Sequence, residues 1–360
     1  MSHLENPFRK PILPPEQTDR EANAVLADTL LGKAYGDALR SLDGESDTKS
    51  HAPKQDDFSD MTLSEEELHI IEKSKEVSLI EAETILGKEL FLGPKAIEQT
   101  FGFIPENIPT IPFSVQELRK AKELGMQLIL NVDKTPDGTP LTIENMAKIA
   151  LSEFCLCNIL EGDANGKPTN YLLHKNQFND DGTIQRGAWF EKETEILNET
   201  PNLEWQLVSL DIIEDSTSKT YLDQQELLIE TTEQQFFNGN FPPNSEEHKA
   251  KEEFEQARQN IQKLIDEGKT KEASDIISQL QSSQLFREPI THTIFRYLMN
   301  FSQGKQLFTD GTYTWSNSVA SDGYLLPFGC ALANGASVFR YVPWNPLIHD
   351  GVVLSYRVKR

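Results

Sequence analysis

The C-terminal stretch constrains the fold of this chain more than any other. Residues 307–358 contain no Glu, Gln, Lys or Met, types that together make up 84 of the 360 residues, so about 12 would fall in such a window by composition alone. The stretch carries Asp310, Asp322 and Asp350 against Arg340 and Arg357, a net −1, while the rest of the chain carries −22. Two readings account for the deficit. Compact β-rich segments favour short side chains and turn residues, and so under-use Glu and Lys. Alternatively the bias comes from the genetic code. Codons ending in a pyrimidine cannot specify Glu, Gln, Lys, Met or Trp, so a stretch with randomised Asn-, Tyr- and Ser-type codons would carry this residue set. Trp315 and Trp344 would then belong to an unrandomised framework.

The remainder is polar and acidic. Hydrophobic residues make up 38%, and 34 basic against 57 acidic side chains leave a formal charge of −23. A field of that sign repels polyanions and argues against sequence-independent nucleic-acid binding. No run approaches the roughly 18 apolar residues of a membrane span. The segment Met1-Ser-His-Leu-Glu-Asn-Pro7 has neither the basic start nor the apolar stretch of a signal peptide, so a cytoplasmic protein is expected. Cys155, Cys157 and Cys330 are too few for a disulfide scaffold or a four-thiolate zinc site.

Residues 1–60 hold Pro7, Pro11, Pro14, Pro15, Pro53 and a polar tract over 43–57, and read as a flexible, disordered acidic arm with one transient helix over 22–42. Residues 61–113 read as a helical segment with helices over 64–76, 78–90 and 93–101, then a Pro-punctuated connector to Phe113. One domain spans 114–360. In it Ser114 caps a helix to Leu124, 126–132 is a strand, and Thr135-Pro-Asp-Gly138 is a turn. Ile143, Met146, Ile149, Phe154 and Cys157 have the spacing of a helix over 142–160. Short β runs are expected at 171–173, 188–190 and 205–213, and helices over 220–237 and 289–301. A charged helical hairpin over 245–284 turns at Gly268. The fold class is α+β. The hairpin's narrow apolar stripe suits either an arm of the domain or a contact that makes a homo-oligomer.

The stretch Tyr313-Thr-Trp-Ser-Asn-Ser-Val-Ala-Ser-Asp-Gly323, followed by Gly329, Gly335-Ala-Ser-Val338, Pro343 and Gly351-Val-Val-Leu-Ser-Tyr-Arg357, resembles the variable region of diversity-generating retroelement target proteins. The resemblance covers 307–358. It implies a C-type-lectin-like domain over 114–360, with the hairpin as an insertion, in which a fixed backbone displays varied side chains to a protein or glycan ligand. Carried over position by position, the framework comprises Trp315, Gly323, Gly329, Gly335, Val338, Pro343, Gly351, Val352 and Arg357. The varied, solvent-facing set comprises Tyr324, Leu326, Pro327, Cys330, Leu332, Asn334, Phe339, Arg340, Tyr341, Asn345, Leu347 and His349. Tyr, Phe and Arg supply large contacts at low entropic cost, and Asn and His supply adaptable hydrogen bonds. The long hairpin, Leu354 and Tyr356 depart from the family pattern.

No catalytic centre, metal or cofactor is legible in the sequence. On a helix Cys155 and Cys157 point about 200° apart and cannot share an ion. Cys330 has His349 as its nearest histidine in sequence and no activating helix start. Formylglycine-generating enzymes, relatives of the lectin-like fold, use two C-terminal cysteines where this chain has one. The seven histidines show no ligand spacing, and no phosphate-binding or zincin motif occurs. Asn179-Asp-Asp-Gly-Thr183 and Glu161-Gly-Asp-Ala-Asn-Gly166 resemble fragments of calcium loops but lack the acidic twelfth position, which makes them turns. The sequence points to a non-enzymatic ligand-binding protein. A scaffold that oligomerises through the hairpin and a formylglycine-generating-type enzyme are the alternatives.

Overall fold

A computed structural model describes residues 77–153, 159–162, 168–346 and 350–358. The arm over 1–60, the helix expected over 64–76, Cys155, Cys157, Leu347, His349 and 163–167 of the second calcium-loop-like stretch lie outside the described residues. The described residues all fall within one unit, Leu63–Arg360, and its class is α+β.

Local sequence sets the first helices. α1 (Leu79–Leu86) begins where the Ser78 hydroxyl accepts from the Glu81 amide and stops at Gly87, short of the expected residue 90. After β1 (Phe91–Leu92), Pro94 starts α2 (Pro94–Phe101). α3 (Val115–Glu123) opens with a capping box in which Ser114 and Glu117 each satisfy the other's backbone N–H. β2 (Met126–Asn131) follows. The apolar spacing over 142–160 gives α4 (Ile143–Lys148) and one π-helical turn, Ile149–Glu153, and not a continuous helix. A π turn carries more residues per rotation and swings the apolar face away. The chain then forms β3 (Ile159–Gly162) against β4 (Pro168–Tyr171), pairing Ile159 with Tyr171.

The strand expected at 188–190 is instead a pair of turns, closed by Ala188 N to Gln185 O and Glu191 N to Ala188 O. α5 (Thr194–Asn198), β5 (Glu204–Ser209) and α6 (Tyr221–Phe237) come next, α6 being capped by Thr220. The charged segment folds as α7 (Glu246–Asp266) and α8 (Thr270–Gln279) about Gly268, followed by a short α9 (Gln281–Phe286) that its spacing does not announce. Ala250, Phe254 and Ile261, the apolar stripe of α7, are buried within the domain, where α7 packs on α8 and α9. The stripe is therefore not free for the homo-oligomer contact.

α10 (Ile290–Ser302) is buried from Ile290 through Asn300 and packs against both larger sheets. The first sheet has the order β1-β2-β5-β10, with β10 (Ser355–Tyr356) antiparallel to β5 and β5 antiparallel to β2. The second has the order β8-β7-β6-β9, built from β6 (Tyr313–Val319), β7 (Leu325–Gly329), β8 (Ser337–Val338) and β9 (Asp350–Gly351). Both faces of β2 are covered, so its polar side chains need internal partners. Gln127 exchanges two hydrogen bonds with Asn300 of α10, at 2.8 and 3.0 Å, and Asn131 donates to Gln206 at 2.8 Å. The buried Arg296 of α10 is held by Glu288 through its Nε and Nη2, the latter at 2.8 Å.

Candidate functional site

The second sheet presents the residues that the sequence singled out, and its scaffold is fixed from several directions. Trp315 is buried, as are Gly323, Gly329, Gly335, Val338, Pro343, Gly351, Val352 and Arg357. Gly335 takes φ 86°, and a Cβ there would sit 2.5 Å from the Leu173 carbonyl carbon, so both conformation and space require glycine. Arg357 reaches Glu204 at 3.4 Å and donates to the Arg287 carbonyl, which locks the end of β10 to the domain. The outer strand β8 needs no further strand partner. The Gln177 side chain accepts from Val338 N at 3.0 Å and donates to Val338 O at 2.8 Å, and the Trp189 indole donates to the same oxygen at 3.0 Å.

Register decides which side chains share a face. Trp315 pairs with Pro327, Tyr313 with Gly329, and Gly329 in turn with Ser337. Beyond β8 the chain continues along β7, with Phe339 N bonded to Pro327 O and Tyr341 exchanging hydrogen bonds with Leu325. Alternation along each strand puts Tyr313, Trp315, Phe339 and Tyr341 on one side. The central strand offers only Pro327 and Gly329 between them, so rings from the two flanking segments meet across it. Tyr313 meets Phe339 edge-on at 5.3 Å, Phe339 stacks on Tyr341 at 6.0 Å, and Tyr341 meets Trp315 at 6.4 Å. The row ends inside the core, where Trp315 meets Tyr221 and the Arg287 guanidinium lies 3.6 Å above the Tyr221 ring. Its outer members, Tyr313, Phe339 and Tyr341, are half-buried.

Asp350 of β9 pairs in parallel with Tyr313. It is buried, its Oδ2 has no hydrogen-bond partner, and burial pushes its carboxyl up from 3.8 to about 7. Burial, helped by the negative charge of Asp350, also raises the Tyr341 phenol. The Tyr313 phenol is raised by burial and then by the neighbouring Cys330 thiol. Arg340 pairs with Asp322 and lies over Trp189 at 5.2 Å and Tyr324 at 5.7 Å.

The set expected to face solvent divides. Leu332, Asn334, Arg340 and Asn345 are exposed, and Tyr324, Cys330, Phe339 and Tyr341 are half-buried. Leu326 and Pro327 are buried, contrary to expectation. They lie on β7, an interior strand covered on both sides. Leu326 shares the Phe328 face, where Phe328 meets Tyr297 of α10, and Pro327 lies under the aromatic row. Alternation alone cannot distinguish an interior strand from an outer one. Three contributors were missed. In the sequence Tyr313 reads only as part of a motif, Trp189 as part of a strand, and Asp350 only as a charge. The register of β6 with β9 is what joins Tyr313 to Asp350.

Two other candidates fall among the described residues. Asn179 to Thr183 is a turn in which Asp181 accepts from both the amide and the hydroxyl of Thr183, at 2.9 and 2.7 Å. Among the described residues no group of three His, Cys, Asp or Glu side chains converges to hold a metal ion. Cys330 takes φ 56° and its amide bonds to Thr312 O. Among the described residues no imidazole or carboxylate forms a hydrogen bond with its thiol. No helix among the described residues is long and apolar enough to cross a membrane. Comparison with protein-family models, with curated proteins and with solved structures finds no match to this chain.

Proposed function

We propose that this chain is a ligand-binding protein that uses the face around β7 and β8 for recognition, in a C-type-lectin-like domain of the diversity-generating retroelement target type. The observation that carries the reading is the division of 307–358 into two populations. The positions assigned to the framework are all buried, several against backbone that admits no larger residue. The segment 339–345 and the neighbouring Tyr324 and Asn334 instead offer Tyr, Phe, Arg and Asn to solvent, with no Lys or Glu among them. Such a set supplies contact area and adaptable hydrogen bonding at low entropic cost. The return of β10 to the first sheet, clamped by Arg357, supports a scaffold that holds still while its surface residues change.

Sequencing the gene across a single cultured population tests this. The expected result is a near-copy of the codons for 320–357 beside a reverse transcriptase gene. Substitutions should concentrate where the near-copy carries adenine, at the codons for Tyr324, Asn334, Arg340, Tyr341 and Asn345, and leave Trp315, Leu326 and Gly335 unchanged. Variation that is absent, or spread evenly over buried and exposed positions, would overturn the reading.

A further inference from the structure

We propose that the aromatic face binds an alkylammonium group, with the Asp350 carboxylate as its counter-ion; this rests on the reading of that face as a recognition surface. Four observations converge. Partners in a parallel pair project to the same side, so Asp350 shares the side of Tyr313, Phe339 and Tyr341. Its Oδ2 is buried without a hydrogen-bond partner, a state that costs free energy unless something supplies the missing interaction. The arginines around the sheet are engaged elsewhere: Arg340 with Asp322, Arg287 over Tyr221, and Arg357 with Glu204. Three rings, Tyr313 and Tyr341 each against Phe339, offer π faces and edges at the half-buried end of the row.

These features select a chemical class. A metal ion wants several oxygen or nitrogen ligands, and among the described residues no such group converges here. A neutral apolar group would gain contact with the rings but leave the carboxylate unpaired. A sugar could meet the rings and the phenols but would leave the carboxylate charge unmatched. A weakly hydrated organic cation meets both the ring quadrupoles and the carboxylate charge. Phe339 and Tyr341 belong to the set proposed to vary, whereas Tyr313 and Asp350 do not. The anchor for charge is therefore part of the scaffold, and the rings tune what surrounds it.

The test is a titration of the full chain with choline and with 3,3-dimethylbutan-1-ol, its neutral isostere, followed by ligand-observed NMR. Choline should saturate and bind at least about tenfold more tightly than the alcohol. Asp350→Asn should cut the preference for choline by at least about threefold, leaving only what the rings supply, while the melting temperature holds or rises. Phe339→Leu should weaken choline by about fivefold or more and leave the alcohol less affected. A third arm with Nα-acetyl-trimethyllysine methylamide separates sources: tighter binding than choline supports a side chain of a protein ligand, and equal binding supports a small molecule. Equal affinity for choline and the alcohol, or a discrimination that Asp350→Asn leaves undiminished, overturns the proposal. Absence of choline binding in a gene that shows the diversification described above overturns the cation assignment alone. The recognition reading stands or falls on the gene, not on this titration.

Discussion

Replacing Asp350 with Asn is expected to stabilise the ligand-free domain above neutral pH, by an amount set by where the carboxyl sits. Burial alone lifts its pKa from 3.8 to about 7. Over the interval between those values the folded chain keeps a proton that the unfolded chain has released, so stability falls as pH rises. The contribution is fully present below 3.8 and is lost as pH passes through about 7. A displacement of about three pH units, at about 1.4 kcal/mol per unit, puts the loss on the order of 4 kcal/mol. An amide of nearly the same volume cannot ionise and escapes this loss. Urea unfolding at about pH 5, pH 6 and pH 8 should show the stability of Asp350→Asn relative to wild type rising across the series; His292 and His174, held below 6.5 chiefly by burial, act in the opposite sense to Asp350 up to about pH 6.5, but equally in both chains. Glu199 gives a second slope of the same sign, because burial lifts it to about 7 despite hydrogen bonds from Ser318 and Thr291. Adding Glu199→Gln should raise stability at pH 8 further relative to pH 5. Hydrogen bonds hold Asp137 and Asp181 below their ordinary value, so they act in the opposite sense, only at more acidic pH. If Asp350→Asn keeps the wild-type slope, or is destabilised at pH 8, the carboxylate has a partner and the burial argument is wrong.

Leu326→Ala should cost about 2–4 kcal/mol and Trp315→Ala about 3–5, because both leave cavities between packed layers, whereas Asn345→Ala should stay within about 0.5 kcal/mol in thermal melts. Gly335→Ala should lower the melting temperature sharply, since it adds a side chain at positive φ against the Leu173 carbonyl; an unchanged melting temperature would show that the 171–175 segment can move aside. Glu288→Ala should destabilise by about 3–5 kcal/mol by leaving the Arg296 guanidinium buried and unpaired, and the companion change Arg296→Met should recover much of that loss in a double-variant cycle.

Much of the helical architecture was legible because its signals are local. Ser78, Ser114, Thr220 and Ser245 each cap the helix that their position announces. The errors fall where a non-local partner decides. The apolar spacing that runs to residue 157 promises a long helix, yet the chain pairs Ile159 with Tyr171. Trp189 has the composition of a strand but covers the outer edge of β8, a role that exists only once Val338 is in place. In the candidate site, the glycines marked where backbones approach. Leu326 and Pro327 were misjudged because the strand order of the second sheet is not written in any one strand. Arg287 and Arg296, two buried guanidiniums, left no signal beyond their charge, since their partners come from Tyr221, Gln225 and Glu288.

The pairing of β10 with β5 sets a timetable for biosynthesis. Gln206 waits for Ser355, which lies 149 positions later, and at ~5–20 residues per second a ribosome needs roughly 7–30 seconds to deliver it. Throughout that interval β5 has β2 on one side and nothing on the other, and Leu207 and Val208 line an open edge. The nascent chain therefore passes through a long stage in which an apolar strand edge can pair with another chain, and holdase chaperones are the expected remedy. A truncation after Leu354 would make that stage permanent, and should shift the product from soluble extract to pellet although the second sheet has lost no strand.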